Sequence, residues 1–221
     1  MRFKLAVSLV LFLAAVAGSA VAQDRTIDDF TTGPFKQTPV RCGKVAPSSQ
    51  NGAMLGGNRS TGLLLSPANA CGFSQPNSYE FKLATKATPP AFLFNAGYGA
   101  GPRIDMGYGF GAPMNIDFTP YDRIRVNFLG LTQPLNFNIL VFTGTTWAQN
   151  GCNISELNRP FSIELPLNGF IISGPSFSWS NINFIDNIFQ SGSAIGGVDL
   201  AVSSIQLSNT PMPGAQICRL Q

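Results

Sequence analysis

The stretch Leu135-Asn136-Phe137-Asn138-Ile139-Leu140-Val141-Phe142 decides the fold class. Leu135, Phe137, Ile139 and Val141 recur at every second position, and Asn136, Asn138, Leu140 and Phe142 fill the other phase. A period of two places alternate side chains on opposite faces of a strand, so one face is buried and the other meets solvent. The same rhythm runs outward from this segment. Ile124, Val126 and Phe128 oppose Arg123, Arg125 and Asn127. Tyr79, Phe81 and Leu83 oppose Glu80 and Lys82, and Phe161, Ile163 and Leu165 oppose Ser162 and Glu164. Val198, Leu200 and Val202 hold one phase, then Ile205 and Leu207 take the other. That slip at Ser203-Ser204 predicts a β-bulge or a corner between two strands.

Helical periodicity is not sustained anywhere after residue 22, and 23 Gly and 16 Pro shorten every element. Ile182, Ile185 and Phe189 have helical spacing, but Asn181, Asn183, Asp186 and Asn187 favour turns over helix interiors, so a turn and then a strand is expected. Gln37–Gly62 and Asn95–Pro113 read as long loops. In the second, glycine alternates with Tyr98, Tyr108 and Phe110, as in twisted strands or a hairpin whose backbones approach closely. It lacks the G-K-[ST] of a phosphate loop. About ten short strands make the chain all-β, an antiparallel β-sandwich.

Residues 1–22 read as a secretory signal peptide. Arg2 and Lys4 precede the apolar run Leu5–Ala17, and Ala20-Val21-Ala22 is an A-x-A cleavage site. Residues 23–221 are then one domain of 199 residues, long enough to bury a substantial core. Losing two of 14 basic residues and none of the 11 acidic ones lowers the formal charge from +3 to +1. A near-neutral chain is not a nucleic-acid binder or a membrane-surface binder by charge. No later apolar stretch is long enough to span a bilayer. Export to the periplasm or the extracellular space is the expected location. The sequons at Asn58 and Asn153 matter only in a eukaryotic secretory pathway.

Four cysteines remain: Cys42, Cys71, Cys152 and Cys218. An even number in an exported chain predicts disulfides, with three connectivities open. Cys42–Cys71 with Cys152–Cys218 is favoured because each half then closes on itself. The absence of C-x-x-C and of any histidine argues against zinc.

Three stretches carry a family resemblance. Ile27-Asp28-Asp29-Phe30-Thr31-Thr32-Gly33, Asp117-Phe118-Thr119-Pro120-Tyr121-Asp122-Arg123-Ile124-Arg125-Val126 and Val198-Asp199-Leu200-Ala201-Val202-Ser203-Ser204-Ile205-Gln206-Leu207 resemble the first strand, the turn-then-strand and the last strand of galactose-binding-domain-like jelly-roll sandwiches. Many carbohydrate-binding modules have that fold. The resemblance implies a jelly roll whose last strand returns beside the first. It also implies a structural calcium ion near the terminal strands, for which Asp28, Asp29 and Asp199 are the acidic candidates.

Chemistry is restricted by what is missing. Without histidine there is no Ser-His-Asp, Cys-His or His-metal arrangement. A carboxylate pair is the remaining catalytic route, with Asp105 and Glu164 the first to test. Glu80, Glu164, Arg123 and Arg125 are expected on solvated outer strand faces. The 18 phenylalanines are read as core. Trp147, Trp179, Tyr98 and Tyr108 lie in polar or Gly-rich segments where a ring can stack on the C–H face of a sugar. The reading is an exported, non-catalytic domain that binds carbohydrate or another extracellular glycan. A structural or adhesive surface protein and a carboxylate-dependent glycan-active enzyme are the alternatives.

Overall fold

A computed structural model describes residues 23–37, 45–65, 78–86, 88–97, 101–191 and 198–220. The signal-peptide segment, Cys42, Cys71 and Tyr98 lie outside them. Fifteen strands occur among the described residues: β1 (Arg25–Asp28), β2 (Phe35–Gln37), β3 (Val45–Asn51), β4 (Asn58–Leu65), β5 (Ser78–Lys82), β6 (Ala91–Ala96), β7 (Pro102–Tyr108), β8 (Arg123–Leu131), β9 (Leu135–Thr143), β10 (Thr146–Ile154), β11 (Phe161–Pro166), β12 (Ile171–Ile172), β13 (Phe184–Gln190), β14 (Val198–Ser208) and β15 (Gln216–Ile217). The alternating stretches of the sequence are β5, β8, β9, β11 and β14.

The strands form two sheets, antiparallel apart from the short parallel pair β11–β15. One runs β15-β11-β8-β14-β6-β5-β2, with β1 also on β14; the other runs β12-β10-β9-β13-β7-β4-β3. Numbering β6, β7, β8, β9, β10, β11, β13 and β14 as one to eight, the sheets read 1-8-3-6 and 2-7-4-5. That interleaving, with the chain crossing repeatedly between sheets, is the jelly-roll order. The last of these strands lies beside β1, Arg25 opposite Leu207. Pairing of β14 with β8 shifts register between Val202 and Ser204, so the phase slip at Ser203-Ser204 is a bulge.

Two expected loops contain strands. β3 and the first half of β4 fall inside Gln37–Gly62 and pair as a hairpin, in which Pro47 is tolerated because β3 is an edge strand. β7 lies within Asn95–Pro113.

The inner faces bury the apolar phase. Leu135, Phe137, Ile139 and Val141 of β9 face Ile124, Val126 and Phe128 of β8 across the sandwich, all at most 2% exposed. Rings at Phe30, Phe81, Phe92, Phe189 and Phe137 run through this layer with successive centroids 4.9–6.1 Å apart. Each such ring contributes about 1.5–3 kcal/mol on burial. An ion pair is held inside: Arg59 is fully buried, 2.6 Å from the buried Asp28, with its guanidinium 3.5 Å from the Phe81 ring centroid. Cys152 of β10 is bonded to Cys218, just beyond β15, so a disulfide ties the two sheets along one edge. This is one of the two favoured bridges.

Candidate functional site

The outer face of the seven-stranded sheet carries a row of rings. Pairing places Trp147 opposite Phe142, and Phe142 opposite Phe184. The last two rings stack at 3.9 Å and 9°. Phe110 continues the row, 4.8 Å from Phe184, and is 56% exposed. It lies on the sheet because Gly107 has no side chain: a Cβ there would fall 1.8 Å from the Phe110 ring. Trp147 is held by its backbone, whose N–H donates to Ser173 Oγ and whose carbonyl accepts from the Ser173 N–H, both at 2.8 Å.

Polar rows run beside the rings. Gln149 Nε2 donates to Asn138 Oδ1 at 3.4 Å, Asn138 Nδ2 to Asn136 Oδ1, and Asn136 Nδ2 to Asn153 Oδ1 at 3.0 Å. This amide ladder needs Gly151, where a Cβ would meet Asn138 Oδ1 at 2.4 Å. Further across, Arg103, Asp105, Asp186, Ser49, Ser60 and Phe110 line a groove. Arg103 Nε donates to Asp105 Oδ1 at 2.8 Å. Burial, then repulsion from Asp105, pushes the Asp186 carboxyl up to about 6, with Arg103 opposing. The face therefore joins an apolar ring row to hydrogen-bonded amides and carboxylates.

The structure divides the predicted aromatics. Trp147 is on this face, within strand β10 rather than in a connection. Trp179 is at the end of the sandwich, packed against Phe118, Phe170 and Phe177. Tyr108 is a correction: it is fully buried and its hydroxyl donates to Asp28 at 3.0 Å, so it presents no surface to a ligand. Its strand is inward in phase at that position, and burial raises the phenol's pKa well above its usual value.

The aspartates named for calcium do not fit one. Asp28 Oδ2 accepts from Arg59 and Tyr108, and Oδ1 accepts from the Phe30 N–H at 2.8 Å. Arg59 thus occupies the place of a counter-cation. Asp29 accepts from the Thr31 N–H and hydroxyl, and Asp199 accepts from Asn95. Among the described residues no three acidic or sulfur side chains gather.

The outer face of the other sheet corrects three expectations. Glu164, Arg123 and Arg125 have the outward phase, yet Glu164 is fully buried and Arg125 is 5% exposed. The C-terminal segment after β14 crosses over them. Glu164 Oε1 accepts from Arg125 Nη2 at 2.8 Å and from the Met212 N–H at 2.9 Å, and Oε2 from Arg123 Nη1 at 2.6 Å. Burial acts to raise the Glu164 pKa, but these bonds outweigh it and hold it below the usual range. Asp105 and Glu164 are on opposite sheets and cannot act on one bond.

Phe110, Phe142 and Phe184 are the residues missed by reading every phenylalanine as core. Their signal was phase: Phe142 shares the outward phase of Asn136 and Asn138, and Phe184 that of Asp186.

No protein-family model matches the sequence, and no characterised protein matches it by sequence. Solved structures do resemble the fold. A family 11 carbohydrate-binding module of a cellulosomal cellulase of Clostridium thermocellum aligns over 87% of this chain and 97% of its own, at 14% identity and a TM-score of 0.44. A family 30 carbohydrate-binding module from Clostridium thermocellum aligns over 80% and 99%, at 10% identity and 0.42. An agarase aligns over 60% of this chain and 22% of its own, at 13% identity and 0.40. The jelly-roll assignment itself rests on the strand order above.

Proposed function

We propose that the protein is an exported, non-catalytic domain that binds a glycan chain on the outer face of its seven-stranded sheet. The observation that carries this is the row Trp147, Phe142, Phe184 and Phe110 beside an amide ladder. A pyranose has an apolar C–H face and a rim of hydroxyls. Trp147 and the open ring of Phe110 receive the first, the Phe142–Phe184 stack stands between them as an apolar ridge, and pre-positioned amides and carboxylates receive the second, so little ordering is left for binding. A strip of this kind across four strands suits a linear chain. The disulfide supports an oxidising compartment, hence export.

Retention on an array of neutral polysaccharides tests the reading, with Trp147→Ala and Phe110→Ala as controls. Binding is expected for the parent chain and weakened in both variants. No retained glycan, or unchanged retention in both variants, contradicts the face. Release of reducing ends that disappears in Asp186→Asn contradicts the non-catalytic part.

A further inference from the structure

Trp179 is not spent on the sheet face, and its surroundings form a second groove. Four pieces of chain converge there: the turn Thr119–Asp122 before β8, the 3-10 turn Leu167–Gly169, the end of β15, and the loop bearing Trp179. Trp179 is half-buried. Phe118 lies nearly parallel at 6.4 Å, and Phe170 and Phe177 meet its ring edge-on at 5.2 and 4.8 Å. Its orientation is therefore set before any ligand arrives. The walls are tied as well. The Phe118 N–H donates to the Trp179 carbonyl at 2.8 Å, and the Leu167 N–H to the Asp122 carbonyl at 2.8 Å. Arg219 follows the disulfide-bonded Cys218 directly.

The charges of the groove are unequal in availability. Both Asp122 oxygens accept from Arg123, at 2.6 and 2.8 Å, and Arg123 also bonds Glu164. That acid and that base are committed to each other. The exposed Arg219 guanidinium has no ion pair or hydrogen bond among the described residues. Beside it stand the exposed Asn168 and Ile217 and the half-exposed Tyr121. The groove thus offers an indole, an aliphatic side chain, polar rim groups and one open planar cation. A guanidinium pairs with a carboxylate through two parallel hydrogen bonds.

We infer that this groove is a second ligand site, for a carboxylated sugar residue of an acidic polysaccharide: Trp179 and Ile217 receive the ring face, and Arg219 the carboxylate. It stands apart from the sheet-face reading, because its residues and ligand class differ from those of the face.

The chain has two tryptophans, so its two indole N–H resonances report the two sites separately. They are assigned with Trp147→Phe and Trp179→Phe, and the folded chain is titrated with tetragalacturonate, cellotetraose and acetate at equal ionic strength. Tetragalacturonate should shift the Trp179 signal and leave Trp147 still, and Arg219→Gln should weaken that binding at least tenfold without altering the melting temperature. An unmoved Trp179 signal, unchanged affinity in Arg219→Gln, or equal response to cellotetraose or acetate overturns the inference. If no neutral sugar moves Trp147, the sheet-face reading fails while the Trp179 result stands by itself.

Discussion

Gly107→Ala changes no atom that touches a ligand in the proposed face, yet it should abolish much of the binding. The added Cβ would fall 1.8 Å from Phe110 Cε2, so the ring must lift off the sheet. Phe110 is 56% exposed. Taking roughly 200 Å² for a phenylalanine, about 110 Å² of the ring is open. A sugar stacked on one side covers about half of that, roughly 55 Å². At about 25 cal/mol per Å² this is worth about 1.4 kcal/mol, a tenfold change in Kd. The fold should survive, because the clash is with the far end of an exposed side chain and the lost Phe110–Phe184 contact is worth about 0.5–1.5 kcal/mol. Calorimetric titration with a soluble neutral β-glucan reads the affinity, and a melting curve reads the fold. Phe110→Ala should give the same loss. A Gly107→Ala protein that melts within a few degrees of the parent and binds as tightly would refute the role of the ring row.

Three further predictions concern stability. Asp186 has its pKa raised to about 6, so its protonated form is favoured by the fold, and its contribution is lost as pH rises from about 4 through 6. Urea denaturation should show the parent losing up to about 3 kcal/mol relative to Asp186→Asn over that range; parallel curves would contradict it. Arg59→Met leaves Asp28 as an unpaired buried charge and should cost about 3–5 kcal/mol, while chelator should leave the parent's melting temperature unchanged because Arg59 supplies the counter-charge. A lower melting temperature in chelator would revive calcium. Cys218→Ser opens a link across 66 residues and should cost about 4 kcal/mol on loop-closure entropy, checked by denaturant midpoint in oxidising buffer.

Strand phase was legible because it is local. The alternation in Leu135–Phe142, with Val141 inside, and the slip at Ser203-Ser204 follow from nearest neighbours in the chain, whereas Trp147, read as part of a polar segment between strands, lies within a strand. What covers a face is not local. Glu164 has an outward phase, but the segment around Met212, 48 residues later, closes over it. Arg59 is buried against Asp28, 31 residues earlier in the chain, and Tyr108, inward in phase, reaches the same carboxylate from 80 residues later. The ring row was half legible. Trp147 stood out by type, whereas Phe142 and Phe184 come together only when β13 pairs with β9. Composition alone assigned them to the core, although phase placed them outside.

The central claim is the location of the glycan face, and backbone amide shift mapping with a neutral oligosaccharide tests it most directly. The account predicts that perturbed amides cluster on β10, β9, β13 and β7, around Trp147, Phe142, Phe184 and Asp105. Perturbations confined to the opposite sheet, around Glu80, Asn95 and Asp199, would contradict it.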